Sequence, residues 1–238
     1  MRDRIYEPEF VKGLFNRMSS SYERVNYITS FGFSIRWRRQ FLQEIQATEA
    51  QVEILDMLTG MGETWEAAKK KLPYAKITAL DFSEGMLKHA ERKNNVKFRK
   101  EVSVIQQDIL QNQLPESGFD YAICAFELKT FDLPQVRILA TETKRVLKPG
   151  GQFSFIEVSK PESKLLQFFY GFYLGKLIPI LGKLLLGNPR EYRMLWQYTE
   201  RFQDARDVAA IFKDAGLEVS FKSYFYGCAT GFTGYKKA

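Results

Sequence analysis

Cysteine and histidine are scarce in this sequence, and their scarcity excludes several kinds of site. The 238 residues contain 2 cysteines and 1 histidine, too few for a disulfide framework or for a zinc site with the usual spacing. Cys124 lies in an apolar run and is more simply a small core residue than a nucleophile. His89 falls inside a predicted helix, so we do not expect it to be a catalytic base. We expect no metal, and a reducing cytoplasm suits the free thiols.

The sequence also lacks a signal-peptide pattern and a long unbroken apolar segment. Its first residues carry mixed charge without a hydrophobic region, so no leader peptide is expected. The most apolar stretch, within residues 164–200, is interrupted by Lys176, Pro179 and Lys183, whereas a membrane-spanning helix needs about 20 nearly unbroken apolar residues. We interpret this stretch as a cap on the core. The alternative is a surface that touches lipid or an apolar substrate.

Acidic residues are outnumbered by basic ones. The chain has 35 Lys and Arg against 28 Asp and Glu, a formal net charge of +7. An excess of this size favours an anionic partner, either nucleic acid or an anionic membrane face, or serves solubility alone.

Strand patterns alternate with helix patterns through the middle of the chain. Strands are predicted over 52–58, 76–81, 102–108, 119–126 and 152–159, and helices over 63–72, 83–93 and from 133 to a stop at Lys-Pro-Gly-Gly, 148–151. Such alternation predicts right-handed βαβ units and a mostly parallel α/β sheet. A helix near 204–215 and strands over 217–227 and 229–237 follow, and residues 8–47 are predicted to form helices outside the sheet.

The stretch "ILDMLTGMGETW" at 54–65 predicts a sharp turn between a strand and a helix. A dinucleotide-binding loop would place a third glycine where Trp65 stands, and no Walker sequence is present. The loop therefore permits a close backbone approach without being built for a pyrophosphate.

Acids stand at the ends of three predicted strands. Asp56 precedes the glycine loop, Asp81 ends the second strand and Asp108 ends the third. Ligands of open α/β sheets bind at these strand ends, where a carboxylate can hold ribose hydroxyls or an adenine amino group. S-adenosylmethionine offers an amino acid, a ribose and an adenine, and fits this pattern. The alternative for each acid is helix capping or turn chemistry.

The order of these motifs resembles that of class I methyltransferases. The resemblance is closer to the ubiquinone/menaquinone-biosynthesis C-methyltransferases (UbiE-like), because it includes "YERVNYITSFGFSIRWRR", "VSKP" and the C-terminal "GYK". It extends from about Phe15 to Lys236. It implies a Rossmann-like sheet of seven strands, mostly parallel with the last strand antiparallel, an N-terminal helical lid and a helical cap after strand five.

The resemblance also implies the site and its cofactor, S-adenosylmethionine. The chain would be one methyltransferase domain, with a lid over 1–48, a donor-binding core over 49–160, a cap over 161–203 and a C-terminal helix and hairpin over 204–238. Tyr22 matches a lid tyrosine of the family. The donor-binding residues would be Asp56, Gly60, Met61, Gly62, Asp81, Phe82, Met86, Asp108, Ile109 and Ala125.

This sequence departs from the family pattern at several positions. Met61 and Glu63 replace a threonine and an aspartate in the glycine loop. After strand four, Lys129 and Thr130 replace the family's Arg-Asn pair, which is implicated in positioning the quinol, and lysine lacks the bidentate fork of arginine. Phe232 replaces a histidine near "GYK". These changes concern the acceptor more than the fold.

Carbon methylation needs a nucleophilic ring and a base that removes a proton. Glu127, Lys129 and Glu157 stand at the ends of strands four and five. Glu127 is a candidate base if burial raises its pKa, Lys129 could stabilise a phenolate, and Tyr22 completes the catalytic candidates. Alternatively, Glu127 and Lys129 pair with each other or with solvent.

We therefore expect a methyltransferase that acts on a small hydrophobic aromatic or quinone-like acceptor, such as a prenylated quinol or phenol. The alternative is a homologue that binds the donor without methylating, as a cyclisation catalyst or scaffold. Nucleic acid is not expected, because the residues at 125–128, "AFEL", do not form an [DN]-P-P-[FY] loop and Cys124 follows Ile123 rather than proline. We expect a cytoplasmic protein. Further hypotheses are a homodimer and peripheral contact at the inner membrane face through basic side chains, namely Arg36, Arg38, Arg39, Lys176 and Lys183.

Overall fold

The computed structural model describes residues 4–19, 32–172 and 189–238. Among the residues singled out from the sequence, Tyr22, Lys176 and Lys183 lie outside this described part. The parts of the predicted lid and cap that can be discussed are therefore the helices on either side of these gaps.

Seven strands form one sheet in the order β3-β2-β1-β4-β5-β7-β6. Strands β1 to β5 pair in parallel, and β7 runs antiparallel to both β5 and β6. The fold predicted from the sequence is thereby confirmed. The strands are β1 (Glu53–Met57), β2 (Lys76–Asp81), β3 (Val102–Gln106), β4 (Phe119–Ala125), β5 (Leu147–Val158), β6 (Glu218–Tyr224) and β7 (Ala229–Tyr235).

The order of the strands reverses next to β1. The chain runs outward from β1 to β2 and β3, then returns to form β4 on the other side of β1. Helices that connect such strands lie on opposite faces, so a crevice opens at the carboxyl ends of β1 and β4.

The described helices cover both faces of the sheet. Trp37, Phe41 and Trp65 belong to the apolar cluster on one face, and Leu139 and Phe212 belong to the cluster on the other. No helix within the described residues is both long and apolar enough to span a bilayer. The helices are α1 (Pro8–Met18), α2 (Phe33–Gln43), α3 (Trp65–Lys71), α4 (Glu84–Lys97), α5 (Leu133–Val146), α6 (Lys164–Phe172), α7 (Pro189–Phe202) and α8 (Arg206–Asp214).

Local sequence explains several boundaries of these elements. The Ser83 side chain accepts a hydrogen bond from Met86 N and caps α4, as the sequence predicts. Asp132 and Gln135 form a reciprocal capping box at the start of α5. The Lys-Pro-Gly-Gly segment differs from the expectation, because β5 already begins at Leu147 and contains it. Leu147 pairs with Phe119, and an irregularity in register follows before the regular ladder with β4.

Candidate active site

The glycine loop turns sharply at the carboxyl end of β1. Leu58, Gly60 and Gly62 have φ values of 58°, 56° and 73°, a left-handed region that glycine enters at little cost. A Cβ atom on Gly62 would lie 2.7 Å from the Trp65 ring. Glycine is therefore required at position 62 both by the backbone conformation and by the indole packed beneath it.

The Asp56 side chain stabilises this loop from its buried side. Its Oδ2 accepts hydrogen bonds from Thr59 Oγ1 at 2.5 Å and from Trp65 Nε1 at 3.0 Å, and the residue is 1% exposed. Burial raises the pKa of Asp56 to about 7, although these two hydrogen bonds oppose the rise. The carboxyl lies under the loop and is not part of the pocket wall described below.

Replacing Asp56 with asparagine is expected to remove part of the pH dependence of stability. Because the native carboxyl has the higher pKa, the native state binds more protons than the unfolded state between about pH 4 and pH 7. The free energy of unfolding therefore falls as pH rises through this range, by about 4 kcal/mol for a shift of about three units. Urea denaturation of both proteins at several pH values measures the difference. Parallel profiles for wild type and variant would contradict it.

Asp81 connects the end of β2 to the same loop. Its Oδ2 accepts a hydrogen bond from Gly60 N at 2.8 Å, and its Oδ1 accepts one from Ser83 N at 2.8 Å. Burial raises the pKa of Asp81 to about 6, against the lowering effect of these N–H groups. Each carboxylate oxygen can accept more than one hydrogen bond, so Asp81 can hold the loop and also meet a ligand.

A pocket opens where Gly60, Asp81 and Asp108 come together. Its cavity volume is about 30 Å³, and it is partly open to solvent. Asp108 also caps a 3₁₀ turn, because its Oδ1 accepts a hydrogen bond from Leu110 N at 2.9 Å. The remaining walls are mostly apolar and come from Tyr6, Pro8, Val11, Phe15, Leu58, Phe82, Met86, Leu110, Phe131, Glu127, Thr130 and Gln135.

Helix α1 closes one side of this pocket and is tied to the donor-binding core. Asn16 Oδ1 accepts hydrogen bonds from Ser83 Oγ at 2.7 Å and from Gly85 N at 2.9 Å. Gln135 Nε2 donates to the backbone oxygen of Tyr6 at 3.0 Å. The predicted lid over 1–48 includes α1, but the sequence did not identify Asn16 as the residue that attaches this helix to α4.

The segment after β4 brings Lys129 into contact with Glu157, a candidate on β5. Lys129 Nζ donates to Glu157 Oε1 at 2.8 Å and also to the backbone oxygen of Phe126, while Lys129 N donates to Glu157 Oε2 at 3.1 Å. Lys129 and Glu157 are 6% and 0% exposed. The partner of Lys129 is thus Glu157, and its ammonium group lies in a buried ion pair.

Glu127 points elsewhere and lies on the pocket wall. Its carboxyl accepts no hydrogen bond from any residue in the described part of the chain. Burial raises the pKa of Glu127 well above its ordinary value, and Asp81 and Glu157 add to this effect while Lys129 opposes it. A carboxyl with a raised pKa is a stronger base than an ordinary glutamate and can exchange a proton with a bound ligand.

The predicted donor-binding residues fall into two groups. Gly60, Asp81, Phe82, Met86 and Asp108 line the pocket. The others lie beside or behind it, in the loop and the core: Asp56, Met61, Gly62, Ile109 and Ala125. His89 lies on α4 and is not among the lining residues.

These residues fit a cationic nucleoside such as S-adenosylmethionine. The backbone of the glycine loop is accessible at Gly60. A Cβ atom built on Gly60 would lie 3.5 Å from Glu63 Oε2 and near no other atom within 4 Å, so the space beside it is open to a ligand. Asp81 offers acceptors for ribose hydroxyls, and Phe82, Met86 and Leu110 offer apolar walls for a flat base. The acids around the loop favour a positively charged ligand.

Comparison with known proteins gives a consistent result. The sequence pattern of the ubiE/COQ5 methyltransferase family matches residues 3–236. The chain is 31% identical over 231 residues to a demethylmenaquinone methyltransferase of Geobacillus stearothermophilus, covering 96% of this chain and 97% of that protein. For a second one, of Staphylococcus carnosus, the identity is 32% over 234 residues, with coverages of 97% and 95%. The crystal structure of an S-adenosylmethionine-dependent methyltransferase from Aquifex aeolicus has the same fold, with a TM-score of 0.57, 24% identity and coverages of 83% and 88%.

Proposed function

Because the chain belongs to the ubiE/COQ5 methyltransferase family and is an S-adenosylmethionine-dependent methyltransferase, we propose that it methylates a ring carbon of a quinol or related phenol that carries an apolar chain. The relatives named demethylmenaquinone methyltransferase support an acceptor of this class. The observation that carries the proposal is the position of Glu127, a carboxyl with a raised pKa on the wall of the pocket that Gly60 and Asp81 also line.

Different residues of the pocket would bind different parts of the donor. Asp81 would bind the ribose, Asp108 the adenine amino group, and the backbone of the glycine loop would approach the amino-acid part. The donor, once bound, supplies a methyl group on a positively charged sulfur. The protein holds the acceptor carbon in line with this group, which accounts for much of the rate acceleration in a two-substrate reaction.

Glu127 would take up the proton that the acceptor loses. The anionic form of a quinol or phenol is the better nucleophile at carbon, and a carboxylate in an apolar pocket is a stronger base than one in water. The positive charge of a bound donor favours the ionised form of Glu127. Lys129 as a phenolate-stabilising residue stays a prediction, since its ammonium group is paired with Glu157 in the described structure.

The turn that carries Glu127 is held rigidly. Phe126 has a φ of 73°, an unfavourable conformation for a bulky residue. Its N donates to Ile156 O at 2.8 Å, and its backbone oxygen accepts from Lys129 Nζ. The ion pair between Lys129 and Glu157 therefore fixes the direction in which Glu127 leaves the sheet.

The apolar chain of the proposed acceptor suggests contact with a membrane surface. On α6, Leu165, Phe168 and Phe169 are 69%, 69% and 59% exposed, and Tyr226 in the turn between β6 and β7 is 81% exposed. This turn adjoins the cap, since a Cβ on Gly227 would lie 3.4 Å from Pro161 Cα. The sequence-based hypothesis of a contact through Arg38 is wrong, because Arg38 is buried. We place the peripheral membrane contact on this aromatic surface, because exposed aromatic side chains suit the boundary between headgroups and acyl chains.

Calorimetric titration combined with a methyl-transfer assay tests the proposed function. The wild type should bind S-adenosylhomocysteine and methylate a demethylmenaquinol with a short side chain, releasing one S-adenosylhomocysteine for each product. Asp81→Ala should weaken donor binding by about tenfold or more, because the ribose and the Gly60 N–H both lose an acceptor. Asp120→Ala is the matched control, since Asp120 also accepts a backbone N–H, from Glu53, but at the opposite end of the sheet.

The results separate the proposal from its alternative. Donor binding without methyl transfer to any quinol or phenol would favour a non-methylating homologue. The ion pair that holds the Lys129 ammonium group on Glu157 is consistent with this alternative. Equal donor affinity in Asp81→Ala and wild type would show that the ribose binds elsewhere.

A further inference from the structure

Two buried N–H donors on α2 have no acceptor in the described structure. They are Nε1 of Trp37 and Nε of Arg38, in side chains whose residues are 5% and 7% exposed. Buried donors are almost always hydrogen-bonded in native proteins, so an unmet pair on adjacent residues calls for an explanation. A ligand that brings an acceptor is one such explanation.

Both side chains lie against Phe126, at the end of β4. The Trp37 and Phe126 ring centroids are 6.3 Å apart, and the Arg38 guanidinium carbon lies 4.8 Å from the centroid of the Phe126 ring. Arg38 Nη2 lies 3.5 Å from Glu63 Oε1. Glu63 Oε2 accepts a hydrogen bond from Met61 N at 3.3 Å. The guanidinium group thus lies between the glycine loop after β1 and the turn after β4.

This position suits one end of the methyl donor. Asp81 and Asp108, the candidates for ribose and adenine, follow β2 and β3, on one side of β1 in the sheet. Arg38 lies on the other side, toward β4. A donor that crosses the glycine loop with its adenosine over β2 and β3 directs its amino-acid end toward β4 and Arg38.

The acids near the loop favour a cation beside the donor's carboxylate. Asp56, Glu63, Asp81 and Glu127 surround the loop closely enough to influence one another electrostatically. They favour the sulfonium and the ammonium of the donor but repel its carboxylate. Lys129 cannot compensate, because Glu157 and the Phe126 carbonyl already engage its ammonium group. Arginine has a planar fork of N–H donors that matches a carboxylate.

We propose that Arg38 binds the carboxylate of the donor's amino-acid part, with the Trp37 indole N–H as a second donor to it. The inference rests on the proposed function, because it assumes S-adenosylmethionine in the pocket. It gives a ligand-binding role to α2, which otherwise serves the core through Trp37 and Phe41. It also explains why an arginine with an unmet donor is buried at this position.

The test compares two ligands that differ by the carboxylate. S-adenosylmethionine and its decarboxylated form are titrated calorimetrically into the wild type, Arg38→Gln and Arg39→Gln. Arg39 is the matched control, because it is the next residue on α2 and is exposed. Arg38→Gln should bind S-adenosylmethionine about tenfold more weakly or worse, and the decarboxylated ligand with affinity within about twofold of the wild type. Arg39→Gln should bind both as the wild type does.

Each other outcome contradicts the proposal in a recognisable way. Equal weakening for both ligands in Arg38→Gln would assign Arg38 a structural role. If this variant does not fold, the wild type still decides, because equal affinity for the two ligands would overturn the proposal without any substitution. If the wild type binds neither ligand, both the proposed function and this inference are overturned. If the wild type binds S-adenosylmethionine and Arg38→Gln binds it equally well, only the inference is overturned.

Discussion

Replacing Glu127 with glutamine is expected to lower the turnover number by about 10²–10⁴, the usual contribution of a general base. The physical reason is that an amide cannot take up the acceptor's proton, although it keeps the size and hydrogen-bonding capacity of the carboxyl. Donor affinity should change by less than about threefold, because glutamine has nearly the same size as glutamate and the donor is expected to be held mainly by Asp81, Asp108 and the glycine loop. Steady-state kinetics with a soluble quinol and titration with S-adenosylhomocysteine measure the two effects.

The pH profile separates a catalytic from a structural role of Glu127. The carboxyl must be ionised to act as a base, and its pKa is raised by burial, so the rate should rise with pH over a range above that of an ordinary glutamate. Glu127→Gln should lose this rising limb. Glu116→Gln, at an exposed acid before β4, is the control and should keep both rate and profile. A glutamine variant with wild-type turnover would exclude Glu127 as the base.

Replacing Glu157 with leucine is expected to lower the free energy of unfolding by about 3–5 kcal/mol. The substitution leaves the Lys129 ammonium buried without its carboxylate, and both partners are almost completely excluded from solvent. Breaking one side of a buried ion pair costs more than replacing both sides, because an isolated buried charge is left behind. Denaturation with urea of the single variants Glu157→Leu and Lys129→Met and of the double variant measures this cost.

The double variant should recover most of the loss and so provides the control. If the stability lost in the double variant equals the sum of the losses in the two single variants, the residues do not act as a pair. The same double variant tests the role predicted for Lys129. If it folds and keeps its turnover, catalysis needs neither the Lys129 ammonium group nor its ion pair with Glu157. A stable double variant without activity would show that the pair is needed, either to position Glu127 or through the ammonium group itself.

The fold could be predicted because its signals are local and repeated. The first, second and fourth strands are short, largely apolar runs, such as "VEILDML", and each is followed by a helix pattern. Any one of these signals is weak, but their alternation leaves few topologies, since crossover connections are right-handed. The boundaries were less predictable, as β5 shows by including the proline and glycines expected to precede it.

The sequence by itself determined the sheet, the glycine loop and the placement of acids at the strand ends. Parallel strands align their carboxyl ends, so residues such as Asp81 and Asp108 must lie at the same edge whatever the details of packing. A strand end, however, does not determine where its side chain points. Asp56 turns under the loop toward Thr59 and Trp65. Asp81, at the end of the neighbouring strand, reaches the pocket.

Only the tertiary structure decided which groups surround Lys129, Glu127 and Arg38. Lys129 meets Glu157, 28 residues away, because β4 and β5 are neighbours in the sheet and Phe126 turns the chain in a left-handed conformation. Arg38 reaches Glu63 and Phe126 because α2 packs on the sheet beside the loop. Such pairings arise from the packing of distant segments, and periodicity within a single segment carries no information about them.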